Sequence, residues 1–244
     1  MKELWNDFRM ETFDFEDREG RIIYPDVEPI GKIIFKPEYL YAFPNFEIEM
    51  LKRGYYLCNI SHYNRWAPDY EIEIMEKFVK HVANKLGASQ KCIIVGMSCG
   101  GLQAAKFAER YPELVASVYL DAPVLNLLSM AGLGDAEYDQ ATRLEFWREM
   151  VSAYGFSKST IVNFRESPID NMQPLIDNDI PIIMLYGNCD SVVLYEENGK
   201  VLEKFYKDNG GTMKVIERSM GKHHPHSLDN PQKIVDFIEK YSKF

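Results

Sequence analysis

The chain has 244 residues, 46% of them hydrophobic, with 37 acidic against 28 basic side chains and a net charge of −9. That length and apolar content suit one α/β domain around a single core. The acidic balance, with no basic cluster to offset it, excludes nucleic acid and an anionic membrane surface as principal partners.

Turn chemistry at Asp17-Arg18-Glu19-Gly20 makes residues 4–24 an antiparallel hairpin at a sheet edge. Strands follow over 32–35 and 55–60. Met75, Phe78, Val79, Val82, Ala83 and Leu86 then repeat with helical period, and Gly87 supplies the stop. The run Lys91 to Val95 reads as a strand entering Gly96-Met97-Ser98-Cys99-Gly100, and Ala104, Phe107, Ala108 and Tyr111 mark the helix that leaves it. Residues 115–120 form the next strand, ending in Asp121-Ala122-Pro123. Between 124 and 180 the strand–helix alternation is suspended. Leu144, Trp147, Val151 and Tyr154 share a helical face there, widened by Phe146 and Met150, so this insert is expected to be a small helical cap. Residues 181–186 and 212–216 are further strands, and Ile234, Val235, Ile238 and Tyr241 lie on one face of a last helix opened by Asn230-Pro231. The expectation is one domain, 1–244, with a mostly parallel doubly wound sheet, an antiparallel N-terminal edge and the cap at about 124–180. No internal repeat or linker divides it.

The chemistry sits at the ends of strands. A serine on a sharp turn between strand and helix takes a strained backbone, so its neighbours two positions away must be small, as Gly96 and Gly100 are. The helix start aims N–H groups at developing negative charge. Ser98 is therefore the candidate nucleophile, and Met97 before it borders the pocket. A hydroxyl needs a base, and the base needs an orienting acid, in the chain order Ser, acid, His. Asp190 follows the 181–186 strand directly and is the candidate acid.

Three of the five histidines fall in Gly221-Lys222-His223-His224-Pro225-His226-Ser227-Leu228. Any of the three suits a general base. An alternative reading makes His224 and His226 metal ligands. No Cys, Asp or Glu cluster of metal-site spacing accompanies them, so no metal and no organic cofactor are expected. His62 precedes the nucleophile and is disfavoured as a base, although its loop, Ser61 to Trp66, is placed to border the pocket.

With these motifs the sequence resembles the α/β-hydrolase superfamily. Gly-Met-Ser-Cys-Gly-Gly is similar to its nucleophile elbow, Tyr-Gly-Asn-Cys-Asp-Ser-Val-Val to its acid loop, and His-His-Pro-His-Ser-Leu-Asp-Asn-Pro to its histidine loop. A narrower resemblance is to bacterial members that carry Ser-Pro-Ile-Asp-Asn, here Ser167 to Asn171, before the acid strand. The resemblance implies a serine hydrolase, usually an esterase, acting on a small-molecule ester. Similarity to hydrolases of this plan, which often carry a proline seven residues beyond the base, implies His224 as the base, since Pro231 lies there, with His223 the main rival and His226 the third choice. Many members have His-Gly after the third strand, where a backbone N–H completes the oxyanion hole. This chain has Phe35-Lys36-Pro37-Glu38-Tyr39, so the first donor is expected from Glu38, or from Tyr39 if the loop is one residue longer; Pro37 has no N–H. The second is expected from Cys99. Tyr39 and Trp147 are expected to line the pocket with Met97.

Cys58, Cys92, Cys99 and Cys189 have no disulfide-framework spacing. Cys99 and Cys189 flank the presumed chemistry and read better as small residues in tight turns than as a redox device. No charged-then-apolar leader opens the sequence, and no apolar run approaches the roughly 20 residues that span a bilayer, so the expected setting is the cytoplasm.

Overall fold

In the computed structural model, residues 3–244 are described. Three short strands, β1 (Glu3–Trp5), β2 (Phe8–Phe15) and β3 (Arg18–Ile23), form an antiparallel meander, one strand more than the expected hairpin. It joins antiparallel to β5 (Tyr56–Ile60). Beyond that joint the sheet is parallel, running through β4 (Ile33–Phe35), β6 (Cys92–Met97), β7 (Val115–Asp121), β8 (Ile182–Gly187) and β9 (Met213–Arg218). The nine-stranded order is β1-β2-β3-β5-β4-β6-β7-β8-β9.

Successive residues of a strand point to opposite faces, and the parallel strands inside the sheet, β4 to β8, are largely apolar on both, so each feeds two cores. Ile33, Phe35, Cys92 and Ile94 pack on one face with α2 (Asp69–Leu86) and α3 (Cys99–Arg110). Ile34, Ile93 and Val95 pack on the other with α1 (Asn45–Leu51) and α7 (Gln232–Tyr241). Gly87 ends α2 in the left-handed conformation, φ 60°. On α7 the buried stripe is Ile234, Val235, Phe237 and Ile238. Tyr241 is exposed, and Asn230 accepts the Gln232 N–H. No helix among the described residues is long and apolar enough to cross a membrane.

Between β7 and β8 lie a π-helical turn at Ser129–Leu133, α4 (Gln140–Tyr154), two 3-10 turns and α5 (Gln173–Asp177). This segment packs on the α2–α3 face. α4 buries only Met150 completely, and Leu144, expected on its apolar face, is exposed. Ser167 Oγ accepts the Leu127 N–H at 3.1 Å, and Asp170 Oδ2 accepts the Ser167 N–H at 3.2 Å. The Ser-Pro-Ile-Asp-Asn motif thus fastens the two ends of the insert together. After β8 comes α6 (Gly199–Asp208), whose Leu202 and Tyr206 complete that core.

Candidate active site

β6 delivers Ser98 into a backbone conformation that side chains rarely adopt, φ 50° and ψ −123°. The turn closes because glycine allows two contacts. A Cβ on Gly96 would lie 2.4 Å from the Gly100 carbonyl oxygen, and one on Gly101 would lie 2.4 Å from Pro123 Cβ. Gly101, rather than the expected Gly100, is the second position with no room. The Ser98 carbonyl accepts the N–H groups of Gly101 and Val124, both at 2.9 Å, tying the elbow to the residues after β7.

Asp190 lies three residues beyond the end of β8. Its Oδ1 accepts the N–H groups of Val192 at 2.8 Å and Val193 at 3.0 Å, and its Oδ2 meets His223 Nδ1 at 2.8 Å. Burial pushes the Asp190 carboxyl up, but the bond to His223 and the two N–H groups outweigh it and hold it below the usual value. An ionised carboxylate on Nδ1 makes that nitrogen the proton carrier and leaves Nε2 with its lone pair. His223 Nε2 stands 3.1 Å from Ser98 Oγ.

The imidazole bridging carboxylate and hydroxyl is thus His223, and the expectation of His224 is corrected. Counting back seven residues from Pro231 reaches His224, whereas the imidazole between carboxylate and hydroxyl stands eight residues before the proline. The ring of His224 is exposed and stacks on Phe43, with centroids 6.0 Å apart. His226 turns its Nδ1 to Asp121 Oδ1 at 3.1 Å. Asp121, fully buried at the end of β7, also accepts the Ser227 N–H and, at 3.4 Å, Arg218 Nη2. His62 is engaged elsewhere, its Nδ1 2.9 Å from the buried Glu71.

Ser98 opens onto a cavity of about 290 Å³ bordered by Tyr39, Met97, Cys99, Phe146 and the three loop histidines. Of the expected residues, Tyr39, Met97 and Cys99 border this cavity, and Glu38 and Trp147 do not. The Glu38 carboxylate accepts Gln103 Nε2 at 3.0 Å. Trp147 borders a separate cavity of about 420 Å³ with Arg143 and Lys158, its ring 5.5 Å from Phe156. Consecutive helix residues diverge by about 100°, and on α4 it is Phe146 that faces Ser98. Cys99 is buried, which pushes its thiol up to about 11, far from a reactive thiolate.

The loop carrying Tyr39 is anchored from below. Lys36 Nζ, buried, donates to the Ala42 carbonyl at 2.7 Å and pairs with the buried Glu47 at 2.9 Å. Asn59 Nδ2 donates to the carbonyls of Lys36 and Pro37. Arg65 also borders the cavity, held by Glu149 at 2.8 Å and Glu145 at 3.3 Å. Those partners are some 80 residues away in sequence, and no local pattern announces them.

A family profile described as the alpha/beta hydrolase fold matches residues 58–164, and the nine-stranded sheet carries the elbow, acid and histidine loops in the order that fold requires. The chain has the α/β-hydrolase fold. Acylaminoacyl peptidase from Pyrococcus horikoshii superposes on this α/β-hydrolase fold with a TM-score of 0.71 at 17% identity, over 97% of this chain and 42% of that one. The puromycin-hydrolyzing peptidase of Mycobacterium tuberculosis gives 0.72 at 12% identity, over 97% and 40%. Dipeptidyl peptidase 4 of Porphyromonas gingivalis gives 0.69 at 12%, over 96% and 36%. The chain spans about two fifths of the length of these structures. No curated protein sequence matches it.

Proposed function

We propose that this chain is a serine hydrolase that cleaves carboxylic esters through an acyl-enzyme intermediate. The observation that carries this reading is the series Asp190 Oδ2, His223, Ser98 Oγ, joined at 2.8 and 3.1 Å. His223 Nε2 takes the Ser98 proton as Oγ attacks the ester carbonyl, and returns it to the departing alcohol. Water then attacks the acyl-serine, giving His223 a proton that passes back to Ser98 as the acid is released. Asp190 stabilises the imidazolium between the two transfers. Backbone N–H groups of Cys99 and Tyr39 are the assigned oxyanion donors, each contributing about 2.7–4 kcal/mol to the transition state. This serine chemistry needs no metal or cofactor.

The cavity is near the lower end of small-ligand pockets, which favours an ester of modest size. Phe146 brings the 124–180 segment to its rim and supports a cap role for that insert. An amide substrate is the second reading, favoured by the peptidases among the structural neighbours. Acyl thioesters would enter the same chemistry.

A fluorophosphonate probe tests the reading. It labels the chain, and Ser98→Ala removes the label. A chain that stays unlabelled is a ligand-binding relative of the fold instead of an enzyme. Turnover of acyl nitrophenyl esters against aminoacyl nitroanilides then separates ester from amide preference.

A further inference from the structure

Three imidazoles crowd the cavity beside Ser98, and two are prepared as metal ligands usually are. His223 and His226 each engage a buried carboxylate through Nδ1, Asp190 at 2.8 Å and Asp121 at 3.1 Å. A carboxylate on one ring nitrogen fixes the tautomer and raises the basicity of the other. His224 completes the group. Its ring centroid lies 4.8 Å from that of His223 and 5.0 Å from that of His226, and one nitrogen from each ring falls within 4.8 Å of the others.

Tetrahedral coordination with metal–nitrogen bonds of about 2.0–2.1 Å sets ligand nitrogens roughly 3.3 Å apart. Closing the site therefore takes a movement of about 1.5 Å. His224 is the ring placed to make it, being exposed and stacked on a single phenyl face of Phe43. An all-imidazole set selects zinc-class transition cations over magnesium and calcium, which take oxygen ligands.

We propose that His223, His224 and His226 form a reversible site for one divalent transition cation, and that filling it silences Ser98. The His223 Nε2 lone pair that accepts the serine proton is the one the cation takes, so coordination and proton transfer exclude each other. Water fills the fourth position, and no redox change is involved. Only the silencing half rests on the proposed hydrolase reading; the binding half stands on the geometry alone.

The test uses the metal-free full chain with Zn²⁺ in calorimetry, and Co²⁺ as a spectroscopic probe. The expected results are one equivalent of Zn²⁺ and the intense visible absorption of four-coordinate Co²⁺. His224→Ala weakens Zn²⁺ binding about tenfold or more, on the scale of lost support at a metal site. His226→Ala does the same, but it also removes a bond to Asp121, so the exposed His224 is the deciding position. Zn²⁺ is further expected to block fluorophosphonate labelling, with a chelator restoring it. No saturable binding overturns the proposal, as does binding that survives His224→Ala unchanged or is abolished by Cys189→Ser at the exposed thiol. If the metal-free chain does not label at all, the hydrolase reading fails while calorimetry still decides the site.

Discussion

Two aspartate–histidine pairs lie side by side at the ends of the neighbouring strands β7 and β8, chemically alike and differently employed. Asp190 sits on a loop past β8 and gives one oxygen to backbone N–H groups and the other to His223. Asp121 is the last residue of β7 and is surrounded by donors: His226, Ser227 N–H, Arg218 and, at 3.3 Å, the Tyr119 hydroxyl. His223 continues to Ser98, whereas the His226 ring packs edge-on to Phe43, 5.5 Å between centroids. A carboxylate whose only side-chain partner is one imidazole orients that imidazole. One that also gathers Arg218, a tyrosine hydroxyl and the backbone of the loop clamps the loop. The residue pair therefore does not define the role; what lies beyond the distal nitrogen does.

The strongest way to break this comparison is to remove the groups in series. Ser98→Ala and His223→Ala should each lower kcat by about 10⁴–10⁶, since members of such a set act as a unit. His224→Ala should cost about tenfold or less by the same reasoning, because its ring stands outside the proton path. Parallel ester-hydrolysis rates for the three variants check this. A collapse in His224→Ala with His223→Ala still active would reverse the assignment.

Replacing the carboxylates in turn sharpens the contrast. Asp190→Asn should lose about 10³–10⁴ in kcat, as a neutral amide no longer fixes the Nδ1–H tautomer. Asp121→Asn acts through loop position alone and should lose about 10–100-fold, with a lower Tm because a buried hub loses its charge-assisted bonds. Steady-state kinetics paired with thermal melts on both variants decide it. Equal kinetic losses would mean that Asp121 participates in proton transfer.

The outcome also marks how far the sequence could be read. The elbow was legible because steric demand leaves a local signature, small residues around Ser98. Asp190 was legible because a strand end fixes its place in the sheet. The histidine was not, since three candidates lie within four residues and only the geometry of two other loops chooses among them. Asp121 read as a mere strand terminus, because its partners stand about 100 residues downstream. Trp147 and Phe146 show the same limit on α4. Periodicity finds an apolar stripe, but which flank faces Ser98 depends on how α4 docks against Trp66 and Tyr138.

Acid pH offers a subtler difference. The folded-state pKa of Asp190 lies below its unfolded value, so its stabilising contribution is present above about pH 4 and is lost as pH falls through the lowered value. Melts between about pH 2 and 6 should therefore show a shallower acid slope for Asp190→Asn than for the unsubstituted chain. Identical slopes would place the acid transition elsewhere.

The smallest effect is expected from a carboxylate outside both pairs. Glu109 on α3 is buried, and its Oε1 has no hydrogen-bond partner among the described residues. Burial pushes its carboxyl well above the usual value, with Lys106 pulling partly back. The folded state then holds a proton that the unfolded chain releases above about pH 4, so stability falls as pH rises from there to the raised folded value. Glu109→Gln removes that penalty while keeping the shape of the protonated acid. Its Tm should match the unsubstituted chain near pH 4 and exceed it at pH 8, by about 2–4 °C for each kcal/mol relieved. A Tm difference that is flat with pH would show that this carboxyl is ionised and solvated in the folded state, unlike that of Asp190, whose charge is held by hydrogen bonds.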